Sequence, residues 1–464
     1  MTSGIELGSA NIVSKLRRID SVAIVGASPI EGRIGYELLH NIVKFGFKGE
    51  IYPVNPKYER VLGFKCYRTP KDIPNEVDVG IVAIPAPQVP DVVGDLCSKD
   101  VDVVVVISSG FREKGRSDLE ELLRVRAVDC GIRIVGPNSA GITSSPAKLH
   151  ASIEVLPTPG RVAVVSHSGA VGGVAIYELQ KLGSGVSYFI STGNSLDVGV
   201  EEVLEGLAED TYTDAVILYV EWVKDGKRFM KTLQDLSKIK PVAVVKGGWG
   251  AASSKAVLSH TGGVAVSYEV FKAAVRQSGA IVVEDVEEAV AISEVLRKFE
   301  TKERSFHRVL LLTNSGGYGI LVASHLEREG VDLPQVDAEL RKQIEETTGR
   351  DFSGSNPVDF GGDSKSTDIA RVLQIDSLRN YYDAVVVVYV PTSAESPRDI
   401  CESFRSSLEK VPTMYFAAGG GANWITRCLS EVKPAVSRVP FISKIFSVLK
   451  RRNSAIPELK STNI

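Results

Sequence analysis

Residues 161–183 read RVAVVSHSGAVGGVAIYELQKLG, and residues 308–330 read RVLLLTNSGGYGILVASHLEREG. The two segments align without a gap. Each begins with a run of apolar residues, which is typical of a strand buried on both faces of a parallel sheet. A turn of small residues and an amphipathic segment follow, as in the strand–helix units of α/β folds. The repetition predicts two copies of one α/β domain.

The match continues in the same order beyond these segments. Further pairs are GNSLD (193–197) with SNPVD (355–359), DAVILYVE (from 214) with DAVVVVYVP (from 383), and KPVAVV (from 240) with VPTMYF (from 411). The copies differ where ligands bind in such folds, at the carboxyl ends of the strands. Glu221 follows Tyr219-Val220 in the first copy, whereas Pro391 follows Tyr389-Val390 in the second. We therefore expect the chemistry in the first copy.

The segment before the repeats is a third α/β block. Between residues 20 and 145, apolar runs such as SVAIVGAS and VDVVVVISSG alternate with helix-like segments. This pattern predicts a doubly wound, Rossmann-like domain. A chain of 464 residues has room for about three domains. We place them at residues 1–150, 151–302 and 303–464, with a linker in the charged segment 302–305.

Composition narrows the classes of function. A formal net charge of −3 and the lack of a dense basic run give no reason to expect nucleic acid. No apolar stretch is long enough to cross a bilayer, and the N-terminus lacks a signal-peptide pattern, so we expect a cytoplasmic protein. The five scattered cysteines lack CxxC spacing. We expect reduced thiols, without a disulfide framework, a zinc site or any other metal site.

The segment 246–263, KGGWGAASSKAVLSHTGG, presents His260 in a loop rich in glycine, alanine and serine. Such a loop can approach an anion with its backbone N–H groups. His260 is a candidate for carrying a phosphoryl group, and a polar residue in an ordinary surface loop is the alternative. Glu221, at the end of an apolar strand, could orient one imidazole nitrogen of His260 and leave the other nucleophilic. A solvated residue at a strand end is the alternative for Glu221.

Residues 166–170, SHSGA, lie where a buried strand ends and a helix begins. The first N–H groups of a helix lack partners within the helix and suit a phosphate. Simple helix capping by serine remains the alternative. Thr313 to Gly317 repeats the arrangement in the third block.

The first block has several turns that would share the carboxyl edge of its sheet. A lysine, Lys57, stands near the end of the second strand, where an NAD-binding domain usually has an acid, and it favours a ligand with additional phosphate. Together the turns could line a groove for a long ligand. The candidate residues are Gly26, Ala27, Ser28, Arg33, Asn55, Lys57, Ile84, Pro85, Ser108, Ser109, Gly110 and Asn138.

This set of motifs resembles the α subunit of the ADP-forming acyl-CoA synthetases, which include archaeal ADP-forming acetyl-CoA synthetase and, more distantly, succinyl-CoA synthetase. The most specific motifs are Ser-His-Thr-Gly at 259–262, LYVE…KDGKRF around Glu221, and Gly-Pro-Asn at 136–138. The resemblance covers nearly the whole chain. It implies a CoA-binding Rossmann-like domain and two flavodoxin-like ligase domains.

By this resemblance, His260 would be the phosphohistidine and Glu221 its partner. The groove residues of the first block would bind CoA, and the phosphate-binding residues would be Ser166, His167, Ser168, Gly169, Ala170, Asn194 and Gly262. The chain has no segment suited to an ATP-grasp unit and no Walker A motif. The family places the ATP-grasp domains on a β subunit or fuses them, so an α2β2 assembly is expected, with ADP or ATP and Mg²⁺ on the partner.

The sequence departs from the family pattern at four positions. Ser139 stands where cysteine is frequent and Trp222 where glycine is common, while His167 and Trp249 replace other polar residues. The two tryptophans bear on acyl preference and loop motion. Two other functions stay open at the level of sequence: an NAD-dependent dehydrogenase, and a CoA-binding regulatory protein without turnover.

Overall fold

The computed structural model describes residues 11–250, 267–299 and 306–454. These residues form three sheets that are wholly or mainly parallel, together with a two-stranded hairpin. Apolar β-branched residues fill the strands and are buried on both faces, as the continuous apolar runs in the sequence predict. None of the helices in the described segments is long and apolar enough to cross a membrane.

The first sheet has the strand order β2-β1-β5-β6-β7, and all its pairs are parallel. The hairpin β3–β4 lies between β2 and β5 in the chain. The strands are β1 (Ser21–Val25), β2 (Glu50–Val54), β3 (Arg60–Val61), β4 (Phe64–Lys65), β5 (Val79–Val82), β6 (Val103–Val106) and β7 (Arg133–Val135). The helices are α1 (Ile12–Arg17), α2 (Ile34–Phe45), α3 (Val89–Cys97) and α4 (Ser117–Cys130).

The second sheet has the order β14-β13-β12-β10-β11-β8-β9, with β8 and β9 antiparallel to their neighbours. Its strands are β8 (Gly141–Ser144), β9 (Leu149–Ser152), β10 (Pro159–Ser166), β11 (Val186–Ser191), β12 (Ala215–Val220), β13 (Val242–Lys246) and β14 (Ile281–Val283). The helices are α5 (Gly169–Lys181), α6 (Val200–Glu209), α7 (Gly226–Ser237), α8 (Tyr268–Gln277) and α9 (Val286–Lys298).

The third sheet is parallel, with the order β16-β15-β17-β18-β19. Its strands are β15 (Val309–Thr313), β16 (Val358–Asp359), β17 (Ala384–Tyr389), β18 (Thr413–Ala417) and β19 (Ala435–Val436). The helices are α10 (Gly316–Arg328), α11 (Ala338–Thr348), α12 (Ser366–Val372), α13 (Leu378–Tyr381), α14 (Pro397–Ser406), α15 (Ala422–Ser430) and α16 (Val439–Ser454).

All three sheets share one order of parallel strands. If the five parallel strands of each are numbered along the chain, the order is 2-1-3-4-5 in every case. This is the doubly wound order of flavodoxin-like folds, in which ligands bind where the strand order reverses. The predicted fold class, a Rossmann-like domain followed by two flavodoxin-like α/β domains, is confirmed.

The repeat extends to individual contacts. Arg161 pairs with Asp214 at 2.6 Å, and its counterpart Arg308 pairs with Asp383 at 3.0 Å. The hydroxyl of Thr313 accepts a hydrogen bond from the N–H of Ser315 at 2.9 Å. Ser166 and Ser168 make the same bond at 3.1 Å. The two copies therefore share the local geometry that turns the chain from strand into helix.

The described chain divides into two compact units. Of the described residues, one unit contains 11–180, 185–250 and 267–289, and thus the first two sheets; the other contains 181–184, 290–299 and 306–454, and thus the third. In the first unit, a single apolar cluster includes side chains from both sheets, among them Ile24 and Tyr188. This continuity allows the turns of the first sheet and the helix ends of the second to form one site.

Four cysteines form disulfides, so the expectation of reduced thiols is wrong for them. Cys97 bonds Cys130, with Cα atoms 5.4 Å apart, and Cys401 bonds Cys428, with Cα atoms 6.3 Å apart. The sequence gives no such sign because the partners are 33 and 27 residues apart. Packing of neighbouring helices brings each pair into bonding range. Cys66 is a buried free thiol.

Candidate active site

The site lies at the carboxyl edge of the second sheet, where α5 follows β10. The Ser166 hydroxyl accepts a hydrogen bond from the N–H of Ser168 at 3.1 Å and donates to its carbonyl at 2.5 Å. This double contact closes the turn and places Gly169 at the start of the helix. A Cβ built on Gly169 would lie only 2.3 Å from Cβ of Ala140. Ala170 is exposed, so the N-terminal end of α5 is open to solvent.

His167 joins this helix terminus to the end of β12. Its backbone N–H donates to the carbonyl of Tyr219 at 3.2 Å, and its Nδ1 accepts from the N–H of Glu221 at 3.2 Å. The ring lies 5.2 Å from that of Trp222. Burial and the nearby Lys246 ammonium lower the pKa of His167 to about 3. His167 is therefore a neutral imidazole that positions Glu221.

Glu221 follows β12 directly and is half-buried. The Tyr219 hydroxyl donates to Oε1 of Glu221 at 3.1 Å, and burial, followed by the carboxylate, raises the pKa of Tyr219. Nζ of Lys246, at the end of β13, donates to the backbone carbonyl of Glu221 at 2.6 Å and to the carbonyl of Gly247. His167 and Lys246 thus hold the backbone of Glu221, and Tyr219 holds its carboxylate, at the point where the strand order reverses.

The turns of the first sheet are linked to one another at its carboxyl edge. Asn55 donates to the carbonyl of Ala27 at 2.8 Å, which holds the second strand against the Gly26–Ser28 turn. The Ser108 hydroxyl accepts from the N–H of Ile84 at 3.2 Å and donates to its carbonyl at 2.6 Å. The N–H of Asn138 donates to the carbonyl of Ser108 at 2.9 Å.

Close backbone approach explains the glycine of the first turn. Gly26 has a φ of +94°, and a Cβ there would lie 2.3 Å from the carbonyl oxygen of Ala83. Side chains beside this turn remain available to a ligand. Arg33, Lys57, Pro85 and Ser109 are exposed, while Ser28 and Ser108 are buried.

A polar network connects the two sheets. The Asn194 amide donates to Glu113 at 2.7 Å and to Glu120 at 2.9 Å. Arg112 donates to the carbonyl of Asn194 at 2.7 Å, and Glu113 also accepts from the N–H of Gly110 at 2.5 Å. Although burial opposes it, the hydrogen bonds from Asn194 and the backbone lower the pKa of Glu113. The network fixes the Ser108–Gly110 turn relative to Asn194.

One cleft of about 410 Å³ brings together predicted residues from both sheets. Those that line it are Ser109, Asn138, His167, Ser168, Gly169, Ala170, Asn194 and Glu221. The other predicted residues with described positions lie outside its lining: Gly26, Ala27, Ser28, Arg33, Asn55, Lys57, Ile84, Pro85, Ser108, Gly110 and Ser166. His260 and Gly262 lie outside the described residues. Across the described segments, no cluster of three or more His, Cys, Asp or Glu side chains could hold a metal ion.

Sequence reasoning missed several residues of this site. Arg112, Glu113 and Glu120 form the network around Asn194, and Glu154 lines the cleft. Arg112, Glu113 and Glu120 lie beyond the turn that follows β6, and Glu154 stands two residues after β9, a short antiparallel strand that the apolar runs did not predict. A usable signal for Glu113 would have been an acidic residue three positions after the Ser108–Gly110 turn, whereas Glu120 lies within α4 and gave no such signal.

Two family models match this chain. A CoA-binding domain matches residues 20–145, and a succinyl-CoA-ligase-like flavodoxin domain matches residues 159–296. The α subunit of acetate–CoA ligase (ADP-forming) I from Pyrococcus furiosus is 35% identical over 416 residues, which cover 86% of this chain and 88% of the relative. This chain belongs to the ADP-forming acyl-CoA ligase family.

Other relatives differ in length. Acetate–CoA ligase (ADP-forming) I from Archaeoglobus fulgidus is 38% identical over 411 residues, covering 88% of this chain but only 59% of the relative. A solved structure of the dinucleotide-forming acetyl-coenzyme A synthetase 1 of Ca. Korarchaeum cryptofilum, in complex with phosphate and ADP, superposes with a TM-score of 0.87 at 28% identity. It covers 96% of this chain and 98% of its own. The ligase family assignment leaves the dehydrogenase hypothesis without support.

Proposed function

We propose that this chain is the α-type component of an ADP-forming acetyl-CoA ligase. It would catalyse acyl-CoA + ADP + phosphate ⇌ carboxylate + ATP + CoA, with acetate as the acid. The observation that carries the proposal is the cleft in which the N-terminal end of α5 meets the turns of the CoA-binding domain. Phosphate and thioester can meet at such a place. The three-domain division at 1–150, 151–302 and 303–464 and a cytoplasmic location belong to the same proposal.

In the first step, phosphate is held at Ser166 to Ala170 and attacks the thioester carbonyl. The N–H groups at the start of α5, from Gly169 onward, and the helix dipole stabilise the anion by about 0.3–2 kcal/mol. The turns at Gly26, Lys57, Ile84 and Ser108 position CoA. This step releases CoA and leaves an acyl phosphate in the cleft. Catalysis here depends on positioning and charge stabilisation.

In the second step, His260 takes the phosphoryl group from the acyl phosphate and releases the carboxylate. Glu221 orients the imidazole and stabilises the phosphorylated ring. The geometry supports this role because Tyr219, His167 and Lys246 hold Glu221 at the cleft. His260 then delivers the phosphoryl group to ADP, which an ATP-grasp partner holds with Mg²⁺. An α2β2 assembly would supply these sites.

The test is labelling of the chain with radioactive phosphate from ATP in the presence of its ATP-grasp partner. We expect acid-labile, base-stable label on the wild-type chain, none on His260→Ala, and reduced label on Glu221→Gln. His307→Ala is the matched control because His307 is exposed. Label that survives in His260→Ala would rule out the proposed phosphohistidine. CoA binding without any label or turnover would favour the regulatory alternative.

The identity of the acid needs a separate measurement. Trp222 is 9% exposed and its ring packs against His167, which lines the cleft. Trp222 does not line the cleft itself, and we expect acetate because the relatives of 35% and 38% identity are acetate–CoA ligases. A panel of acetate, propionate, 4-hydroxybutyrate and phenylacetate should give the highest kcat/KM for acetate. A preference for a larger acid would replace acetate in the proposal without changing the reaction class.

A further inference from the structure

Glu154 is a carboxylic acid in the wall of the cleft, two residues beyond β9. It lines the same cleft as Asn138, Ser168 and Gly169. A Cβ built on Gly169 would lie 3.0 Å from Oε1 of Glu154, and a Cβ built on Gly173 would lie 2.0 Å from Oε2. The carboxyl group therefore lies across the first turn of α5, and glycine at both positions makes room for it.

The surroundings of this carboxyl group are unusual for an acid. Its exposure is intermediate, and among the described residues no donor or cation is paired with its oxygens. Burial raises the pKa of Glu154. A half-buried carboxyl group without a fixed partner is free to gain and lose a proton during a reaction.

In the described part of the chain, the cleft is lined by two other titratable side chains, His167 and Glu221, and each already has a hydrogen-bond partner. His167 accepts a hydrogen bond at Nδ1, and its pKa of about 3 leaves it neutral. Glu221 accepts from Tyr219 and has the proposed role of orienting His260. Among the described residues, Glu154 is the one left for proton transfer in this cleft.

The thioester step requires such a transfer. When CoA attacks an acyl phosphate, a C–S bond forms and the C–O bond to phosphate breaks. The bonding electron pair goes to the phosphate oxygen. The thiol proton must leave sulfur, and the released phosphate must gain one proton to become hydrogen phosphate. One group within reach of both sites could move this proton without any other reactant.

We propose that Glu154 is the general base that takes the thiol proton of CoA and gives it to the departing phosphate, and that it runs the same transfer backwards when phosphate attacks the thioester. This rests on the proposed function, which places phosphate at the start of α5 and CoA at the turns of the first sheet. The carboxyl group lines the cleft that Ser109 and Asn138, from turns of the first sheet, share with the start of α5.

The direction of the pH effect follows from this role. Glu154 must be ionised to accept the thiol proton, so acyl-CoA formation slows as pH falls through its pKa. The titratable groups near it are His150, whose Nε2 lies 3.3 Å from the Glu154 carbonyl, and His167 and Glu221 across the cleft. Burial lowers the pKa of His150 to about 4 and that of His167 to about 3, so both are neutral above pH 5.

The test uses the full chain assembled with its ATP-grasp partner, with acetyl phosphate and CoA as substrates. We expect Glu154→Gln, which keeps the shape beside Gly169 and Gly173, to slow acetyl-CoA formation about 100-fold or more and to remove the acid limb of the pH profile. Glu154→Asp should recover part of the rate. Glu76→Gln, at an exposed residue, is the matched control.

Phosphoryl transfer from ATP to His260 separates the two proposals because it moves no thiol proton. We expect Glu154→Gln to label like the wild type. A variant that forms acetyl-CoA at the wild-type rate, or keeps the acid limb, would overturn the role of Glu154 alone. If Glu154→Gln lost both the phosphoryl label and the rate of acetyl-CoA formation, the substitution would have disturbed the geometry of the cleft, and the proton-transfer role of Glu154 would be overturned as well. Wild-type protein that makes no acetyl-CoA from acetyl phosphate would overturn the proposed function itself.

Discussion

At the scale of residues, His167 is explained by its counterpart in the other copy. Nδ1 of His167 accepts from the N–H of Glu221 at 3.2 Å, and Oδ1 of Asn314 accepts from the N–H of Val390 at 2.8 Å. An imidazole nitrogen in one copy and an amide oxygen in the other thus accept the same backbone hydrogen bond at equivalent positions. The bond holds the end of one strand to the turn after its neighbour.

His167→Asn should therefore fold with a free energy of unfolding within about 1 kcal/mol of the wild type, since asparagine supplies the same acceptor. His167→Ala should lose about 1–3 kcal/mol because the N–H of Glu221 is left without a partner. Urea unfolding of both variants measures the difference. Equal losses in the two would show that ring packing, and not the acceptor, is what the site requires.

Acid should destabilise the protein through His167. Its pKa is about 3 in the folded chain against an ordinary value of 6.5, so the unfolded chain binds a proton that the folded chain rejects. The stability is complete above pH 6.5 and falls as pH drops towards 3, by up to about 1.4 kcal/mol per pH unit. His150 acts in the same direction.

Urea unfolding from pH 7 to pH 5 would measure this loss. His167→Asn should show a shallower decline than the wild type because its share of the proton uptake is gone. Identical declines would mean that His167 is protonated in the folded state.

At the scale of elements, the glycines of α5 and α10 have opposite roles. A Cβ built on Gly172 would lie 2.3 Å from Cε2 of the buried Phe189, because the helix packs directly on the sheet. Nothing lies within 4 Å of a Cβ built on Gly317, whose counterpart in the first copy is Ala170.

Gly172→Ala should destabilise the protein by about 1–3 kcal/mol through overpacking. Gly317→Ala should stabilise it by about 0.5–1 kcal/mol, because alanine favours the helix and meets no neighbour. Thermal unfolding of the two variants provides the comparison. A stabilised Gly172→Ala would show that Phe189 moves aside without cost.

The register of strands corrects two matches made from sequence. Ser166 pairs with Ser191 and Thr313 with Asp359, so GNSLD (193–197), which follows β11, is not the counterpart of SNPVD (355–359), which ends in β16. The sequence comparison sets Pro391 opposite Glu221, because each follows a Tyr-Val pair. In the structure, Ser166 pairs with Tyr219 and Thr313 with Val388, so Val390 is the counterpart of Glu221. The second copy lacks the acid by either match. The sequence match rests on the Tyr-Val pair that both copies contain. The equivalent positions in the structure are instead set by hydrogen bonding between neighbouring strands.

At the scale of the whole molecule, each compact unit contains one disulfide. Cys97–Cys130 closes a loop between positions 33 residues apart, and Cys401–Cys428 closes one of 27. Restricting the unfolded chain over loops of this length stabilises the folded state by about 3–4 kcal/mol each in the chain-entropy model.

Reduction should therefore lower the melting temperature. Cys130→Ser should destabilise the unit with the first two sheets, and Cys428→Ser the unit with the third. Calorimetry with and without a reductant, on the wild type and both variants, can assign each change. The prediction would be contradicted if the melting temperature stayed the same after full reduction, with a thiol reagent confirming that all five cysteines are then free.

Much of the protein was predictable from local patterns. Apolar runs of strand length, turns of glycine and serine, and the repeat at 161–183 and 308–330 predicted the three mainly parallel sheets and the position of Glu221 at a strand end. Buried strands and helices appear in the sequence as apolar residues at regular spacing, so these features can be predicted without knowing which distant residues are in contact.

Tertiary structure alone decided which residues share the cleft. The pairing of cysteines, the network of Asn194 with Glu113 and Glu120, and the position of Glu154 against Gly169 and Gly173 all join separate elements. Each depends on how helices and sheets pack in three dimensions. Packing distances between elements leave no periodic signal in the chain, and for that reason the proton-transfer group that we propose was invisible to the sequence.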